Sequence, residues 1–278
     1  GVRQYIYLGI IVLFLGFLGV VLPMTYGGNY DTVKAGSSNL PTVDTDSKNE
    51  LIWVNNVYYL AFSSSSADGI YDVYLTTSTD GSVGSWSQPQ IILNDIWGDE
   101  GAGNRSGGFA FDYSSYGSYF GVAGFATGTG RIDFATSSDG SSWSATTTVV
   151  SGLYDGDSNR RILLDFSEDE EYTVILYEDS TVPKYFGIAT STAGVSWATS
   201  TVDTFAQGDA IAGVGVSGTE GSRILHAAYY IDSTKTIVYS SSTDNGAIWT
   251  SSTISGNLGA LGFSNAISLS LDDNGLPG

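Results

Sequence analysis

The chain contains no cysteine, a single histidine (His226), one methionine and five prolines among 278 residues. Without cysteine there is no disulfide framework and no thiolate metal site. One imidazole removes multi-histidine zinc centres and nearly removes serine–histidine and cysteine–histidine catalysis. Basic residues are scarce as well: 10 Lys and Arg stand against 29 Asp and Glu, for a formal net charge of -19. A surface of that sign repels polyanions, which excludes nucleic acid and anionic lipid head groups as partners. Cations, neutral glycans and basic protein surfaces remain acceptable partners. Beyond residue 30 no long amphipathic helical pattern occurs.

What the chain does have is turn formers and strand formers. There are 36 glycines and many Ser and Thr, aromatics reach 13% with 18 Tyr, and hydrophobic residues make up 42%. That mixture describes an all-β protein with a sizeable core.

Residues Tyr5 to Leu22 read YIYLGIIVLFLGFLGVVL, without a charge, between Arg3 and Pro23. Eighteen residues rise about 27 Å as a helix, close to the hydrocarbon thickness of a bilayer. The basic residue before the run and Asp31 after it predict an inside N-terminus and an exported remainder. Two readings stand for residues 1–24, a transmembrane anchor or a cleaved signal peptide. Either places the protein outside the cell or on its surface, with the membrane touched only through this segment. Residues 25–49, rich in Gly, Ser, Thr, Asn and Asp, read as a linker.

From residue 50 to 278 the chain repeats itself. Four segments correspond: STDGSVGSW (Ser78 to Trp86), SSDGSSW (Ser137 to Trp143), STAGVSW (Ser191 to Trp197) and STDNGAIW (Ser242 to Trp249). Their tryptophans follow at intervals of 57, 54 and 52 residues. Each lies between two strand-like runs, with two further strand-like runs upstream. Four short strands per period predict β-propeller blades of four antiparallel strands. The chemistry of the turn explains the recurrence. Ser and Asp side chains accept hydrogen bonds from backbone N–H groups. Glycine supplies a positive φ, and Trp covers the turn with a large apolar surface. The expected turn residues are Ser78, Asp80 and Trp86; Ser137, Asp139, Gly140 and Trp143; Gly194 and Trp197; and Ser242, Asp244, Gly246 and Trp249.

These segments resemble the Asp-box, or BNR, repeat of sialidase-like β-propellers. The fourth matches the repeat's spacing, the first has one extra residue, and the second and third are one residue shorter. The third has Ala193 in place of the aspartate. The resemblance implies a structural role for the boxes, on the end of the propeller away from the ligand. Four periods and the start of a fifth, SNAISLSLDDNGLPG, lead us to expect a piece of a six- or seven-bladed propeller. A closed four-bladed ring is the alternative.

The ligand end then carries the loops between blades and the turns between second and third strands. Asp99, Arg105, Asp157, Arg160 and Asp209 fall in the first set, and Arg131, Lys184 and Lys235 in the second. An arginine there can clamp a carboxylate; equally, these cations can pair with local acids and hold the loops. Sialidases use three Arg, a Tyr–Glu pair and an Asp, and usually open with Arg-Ile-Pro. That tripeptide is absent, and no Tyr–Glu pair can be matched, so no catalytic residue is nominated. SEDEEY (167–172) reads as a solvated turn. DDNG (272–275) reads first as a turn and second as part of a calcium loop; no other cofactor is implied. Asn104-Arg105-Ser106 fits a glycosylation sequon. His226, in ILHAAYY, reads as a satisfied strand histidine.

The function expected from these features is a surface propeller binding glycans or a partner protein. A sialidase-like glycoside hydrolase is the alternative, and a structural surface component the third reading.

Overall fold

The computed structural model describes residues 49–65, 71–96, 108–126, 128–153, 161–167, 172–179, 184–204, 210–255 and 269. The chain divides into units 1–32 and 33–278, and every described residue belongs to the second. The apolar run of residues 5–22 lies outside them. Among the described residues no helix is long and apolar enough to cross a membrane.

Sixteen strands and no helix make up the described residues, in four successive groups. The first is β1 (Asn49–Val54), β2 (Val57–Ser65), β3 (Tyr71–Ser78) and β4 (Gln90–Ile96). The second is β5 (Phe109–Ser114), β6 (Tyr119–Ala126), β7 (Arg131–Ser137) and β8 (Thr147–Ser151). The third is β9 (Ile162–Phe166), β10 (Tyr172–Asp179), β11 (Tyr185–Thr192) and β12 (Ser196–Thr204). The fourth is β13 (Ala210–Ser217), β14 (Ile224–Ile231), β15 (Thr236–Ser242) and β16 (Thr250–Ser255). Each group is an antiparallel meander, as the strand-like runs predict. A single pairing, Ile96 with Ala126, joins the first two groups into one sheet.

The four groups stack face to face, each acting as one blade. The innermost strands β1, β5, β9 and β13 adjoin in that order. Every seam between blades is a hydrophobic core. Ala61, Val73 and Leu75 of the first blade meet Phe111, Phe120 and Val122 of the second. On the other face of the second blade, Phe125, Ile132 and Phe134 meet Ile162, Ile175 and Tyr177 of the third. Val174, Leu176 and Ile188 of the third meet Leu225, Ala227 and Tyr229 of the fourth. This is a β-propeller-like fold. It explains why β6 (YFGVAGFA) and β10 (YTVILYED) lack polar alternation: a middle blade is covered on both faces, and all eight residues of β10 are buried. By contrast β16, at the rim, is almost wholly exposed.

Side chains of one blade also satisfy the unpaired edge of the next. Among the described strands the inner edge of β13 has no partner, and its N–H groups need acceptors. Asp165 Oδ2 accepts from the Val216 N–H at 2.9 Å, and Glu178 Oε1 from the Ile211 N–H at 2.8 Å. Glu50 Oε2 accepts from the Phe111 N–H of β5 in the same way.

Candidate active site

Antiparallel blades have two ends, and the four Trp-bearing turns all fall at one of them, between third and fourth strands. Three of the four share one hydrogen-bond pattern. In the first, Ser78 Oγ accepts from the Gly81 N–H at 2.8 Å, and Asp80 Oδ1 accepts from the Ser82 N–H at 2.9 Å. In the second, Ser137 Oγ accepts from the Gly140 N–H at 2.9 Å, and Asp139 Oδ1 from the N–H groups of Ser141 and Ser142 at 2.7 and 2.8 Å. In the fourth, Ser242 Oγ accepts from the Gly246 N–H at 2.8 Å, and Asp244 Oδ1 from the Ile248 N–H at 2.9 Å. The third turn differs. With Ala193 in the aspartate's place, β11 and β12 close on a tight turn in which Ala193 (φ 60°) and Gly194 (φ 67°) both have positive φ. As a result β12 begins at Ser196 and carries Trp197 within the strand.

The turns do more than close hairpins. Gly140, Gly194 and Gly246 are buried because each lies against the preceding blade. A Cβ on Gly140 would stand 2.8 Å from Tyr59, one on Gly194 2.6 Å from Phe134, and one on Gly246 2.6 Å from Ser200. Thr147 Oγ1 of the second blade donates to the Gly194 carbonyl at 3.2 Å, and Gln90 of the first donates to the Gly140 carbonyl. The tryptophans follow suit: Trp143, Trp197 and Trp249 each pack on the seam with the preceding blade. Trp86 lies outside all three seams, and its Gly81 is exposed.

The turn carboxylates give a pH dependence with a definite sign. Hydrogen bonds from Ser85 and Ser82 hold Asp80 at about 2, and backbone N–H bonds from Ser142 and Ser141 take Asp139 well below the usual carboxylate range. The Ile248 N–H does the same to Asp244. Folded values below unfolded ones mean a contribution that is complete above about pH 4 and fades as pH falls through the folded values. The triple variant Asp80→Asn, Asp139→Asn, Asp244→Asn should therefore show a flatter loss of urea midpoint between pH 5 and pH 2 than the parent. Parallel curves would contradict this account.

At the other end lie the turns between second and third strands and the links between blades. Of the residues the sequence places there, Asp99, Arg105, Asp157, Arg160 and Asp209 lie outside the described residues. So do residues 168–171 of the acidic run, Asn104 and the 272–275 segment. Among the described residues no group of three or more Asp, Glu or His could hold a metal ion. Arg131 heads β7, Lys184 directly precedes β11, and Lys235 directly precedes β15, one per blade in matching positions. Arg131 Nε and Nη2 hold Asp133 Oδ2 at 3.0 and 2.9 Å, and Lys235 holds Asp232. Lys184 sits half-buried next to Tyr185.

Sequence reasoning missed a polar cluster at this end of the third blade. Tyr177 and Asp179 project from the same face of β10, and Tyr185 stands across from Asp179 on β11. Burial pushes the Tyr177 phenol well above its ordinary value. Burial, then hydrogen bonding to Asp179 and its negative charge, push Tyr185 up to about 12. Both phenols therefore stay protonated at neutral pH. Tyr185 donates to Asp179 and Tyr177 donates to Tyr185, so Tyr177 reaches the carboxylate only through its neighbour. Glu178, between them in sequence, faces the opposite seam, where Arg161 Nη1 also reaches the Ile211 carbonyl at 3.5 Å. The signal in the sequence was the run YED at the end of a strand, with Gly187 across from Tyr177 leaving room for its ring. The end of the blades thus carries Asp72, Asp133, Glu178, Asp179 and Asp232 beside Arg131, Arg161, Lys184 and Lys235.

No protein-family profile matches the chain, and neither does any curated protein. Solved structures do resemble it. One is a Hadza microbial sialidase, 17% identical, with TM-score 0.48 over 75% of this chain and 46% of that one. Another is the Penicillium chrysogenum α-L-arabinanase solved with arabinobiose, 11% identical, with TM-score 0.49 over 74% of this chain and 65% of that one. A third is the catalytic domain of a Coprinopsis cinerea GH62 α-L-arabinofuranosidase, 12% identical, with TM-score 0.43 over 73% of this chain and 66% of that one. The chain spans about half to two thirds of the length of these structures. The likeness is one of fold. It goes against the expectation of a surface propeller that binds without catalysing, since the similar structures are a sialidase, an arabinanase and an arabinofuranosidase.

Proposed function

We propose that the chain is part of a sialidase-like glycoside hydrolase, acting on a glycan at the end of the blades opposite the Trp-bearing turns. The observation that carries this reading is the segregation of chemistry between the two ends. At one end, aspartates are consumed as acceptors inside turns. At the other, each blade contributes a carboxylate, and Asp133 and Asp232 pair with Arg131 and Lys235 while Asp179 accepts from the Tyr185 phenol. Glycosidic bond hydrolysis calls for carboxyl groups as acid and as base or nucleophile, and that end supplies them. Asp99, Arg105, Arg131, Asp157, Arg160, Lys184, Asp209 and Lys235 are the residues we assign to holding the glycan. In the same reading the turns are Asp-boxes, residues 1–24 export or anchor the protein, and it works outside the cell. The first blade supports a larger propeller. Leu51 and Trp53 are 57% and 60% exposed on the face that the other blades turn toward their predecessor, and a further blade would cover them.

Fluorogenic sialosides, α-L-arabinofuranosides and arabinan oligosaccharides incubated with the intact protein test the proposal. Release of fluorophore or sugar above a protein-free control from at least one of them is expected. Rates equal to that control across the whole panel would reject the reading.

A further inference from the structure

His226 is the sole histidine of the chain and is 2% exposed. It lies on β14, paired with Gly215 of β13 on one side and with Ser241 of β15 on the other. Its Nε2 meets Ser217 Oγ at 2.7 Å, and its Nδ1 meets Tyr239 Oη at 2.6 Å. One ring therefore ties three strands of the fourth blade together through side chains. We propose that His226 is an acid-sensitive latch on this blade, closed while the ring is neutral and released when it takes a proton.

The reason is a count of donors and acceptors. A neutral imidazole has one N–H and one bare nitrogen, so one of the two hydroxyls donates into the ring while the other accepts from it. Protonation turns both nitrogens into donors. The hydroxyl that had donated must then turn its hydrogen away, inside a buried site, and a positive charge appears there.

Among the described residues, little stands ready to compensate that charge. From β13 the ring faces Gly215 and Ser217, and from β15 it faces Tyr239 and Ser241. The β13–β14 turn carries Glu220, which is exposed, and Arg223, which lies 3.4 Å over the Tyr172 ring and donates to Asn245 Oδ1. Leu269 packs against Gly213 on β13, and Asp272 and Asp273 are the charged residues of the chain beyond β16. Burial takes His226 down to about 4. The unfolded value is near 6.5, so the latch holds fully above that pH and is lost as pH falls toward 4. At pH 5 the opening of β13–β15 should be roughly 30-fold more frequent than at pH 8. The blade is then firm in neutral surroundings and loosens in mildly acidic ones. This window lies above the one set by the turn aspartates.

Two measurements decide it. The single histidine gives one set of imidazole signals, and an NMR titration of the intact protein should place their midpoint near 4. Amide hydrogen exchange, corrected for its intrinsic pH dependence, should show β13–β15 opening more as pH falls from 8 to 5, with β9–β11 unchanged. The same opening should be independent of pH in His226→Gln. An imidazole midpoint near 6.5 would overturn the latch. So would β9–β11 opening in step with β13–β15, or equal pH dependence in the parent and His226→Gln. If His226→Gln does not fold, the titration and the exchange pattern of the parent still decide the question.

Discussion

Truncation of Phe134 to alanine should lower the stability of the blades by about 3–5 kcal/mol, the range for removing a fully buried aromatic ring. Phe134 is 1% exposed on β7 and fills the seam between the second and third blades. Its ring meets Trp197 edge-on, with centroids 5.2 Å apart and planes at 77°. It also underlies the backbone of Gly194, whose αL conformation at φ 67° belongs to the tight turn of the third blade. The surroundings cannot collapse into the vacated space, because the turn is held by its own dihedrals and Trp197 is fixed within β12. The cavity term therefore comes in full. Urea unfolding followed by tryptophan fluorescence measures the loss, with Phe134→Leu as a milder control. A change below about 1 kcal/mol for the alanine variant would show that the seam is not the packed unit described here.

Gly187→Ala should act by the opposite route and destabilise by about 1–3 kcal/mol or more through overpacking. The added Cβ would stand 2.3 Å from Cζ of Tyr177, whose ring lies across Gly187 and is only 2% exposed. That ring cannot swing aside without breaking its contact with Tyr185 and, through it, the donor to Asp179. A double-mutant cycle separates this explanation from a backbone effect. Tyr177→Leu alone loses stability, but in its presence Gly187→Ala should cost much less, giving a coupling energy on the order of 1 kcal/mol or larger. Strict additivity would place the damage in the strand backbone and not in the collision. Because the collision lies beneath the polar cluster of the third blade, the same variant should also lower any hydrolase activity.

Much of this architecture was legible beforehand. The strand runs around Trp86, Trp143, Trp197 and Trp249 became four meanders, since strand pairing between neighbours needs only alternating apolar patterning and a turn with the right dihedrals. The Ser–Asp–Gly turns also formed as their chemistry requires. One detail did not follow: Ala193 could be read as a defective copy of the repeat, whereas it gives a different and shorter turn. The candidate site was less legible. Arg131, Lys184 and Lys235 occupy matching places, as spacing along the repeat requires. That Arg131 and Lys235 are engaged by Asp133 and Asp232 depends on rotamers that no spacing encodes. Tyr177, Asp179 and Tyr185 went unnoticed because their meeting depends on strand register, which pairs Asp179 with Tyr185 across a hairpin.

From its residues alone this chain determined its class, its period and the chemistry of its turns, because those are local properties of segments a few residues long. Only the folded structure decided which face of each blade meets its neighbour. It alone revealed that the turn glycines seat one blade against the one before, and that His226 is bonded on both sides. The seams and the seating of the turns rest on contacts between segments some 50 residues apart, as in Gln90 with Gly140, and the bonds of His226 join strands of one blade 9 and 13 residues apart. Their free energy comes from burial and hydrogen bonding that exist only once the blades have stacked.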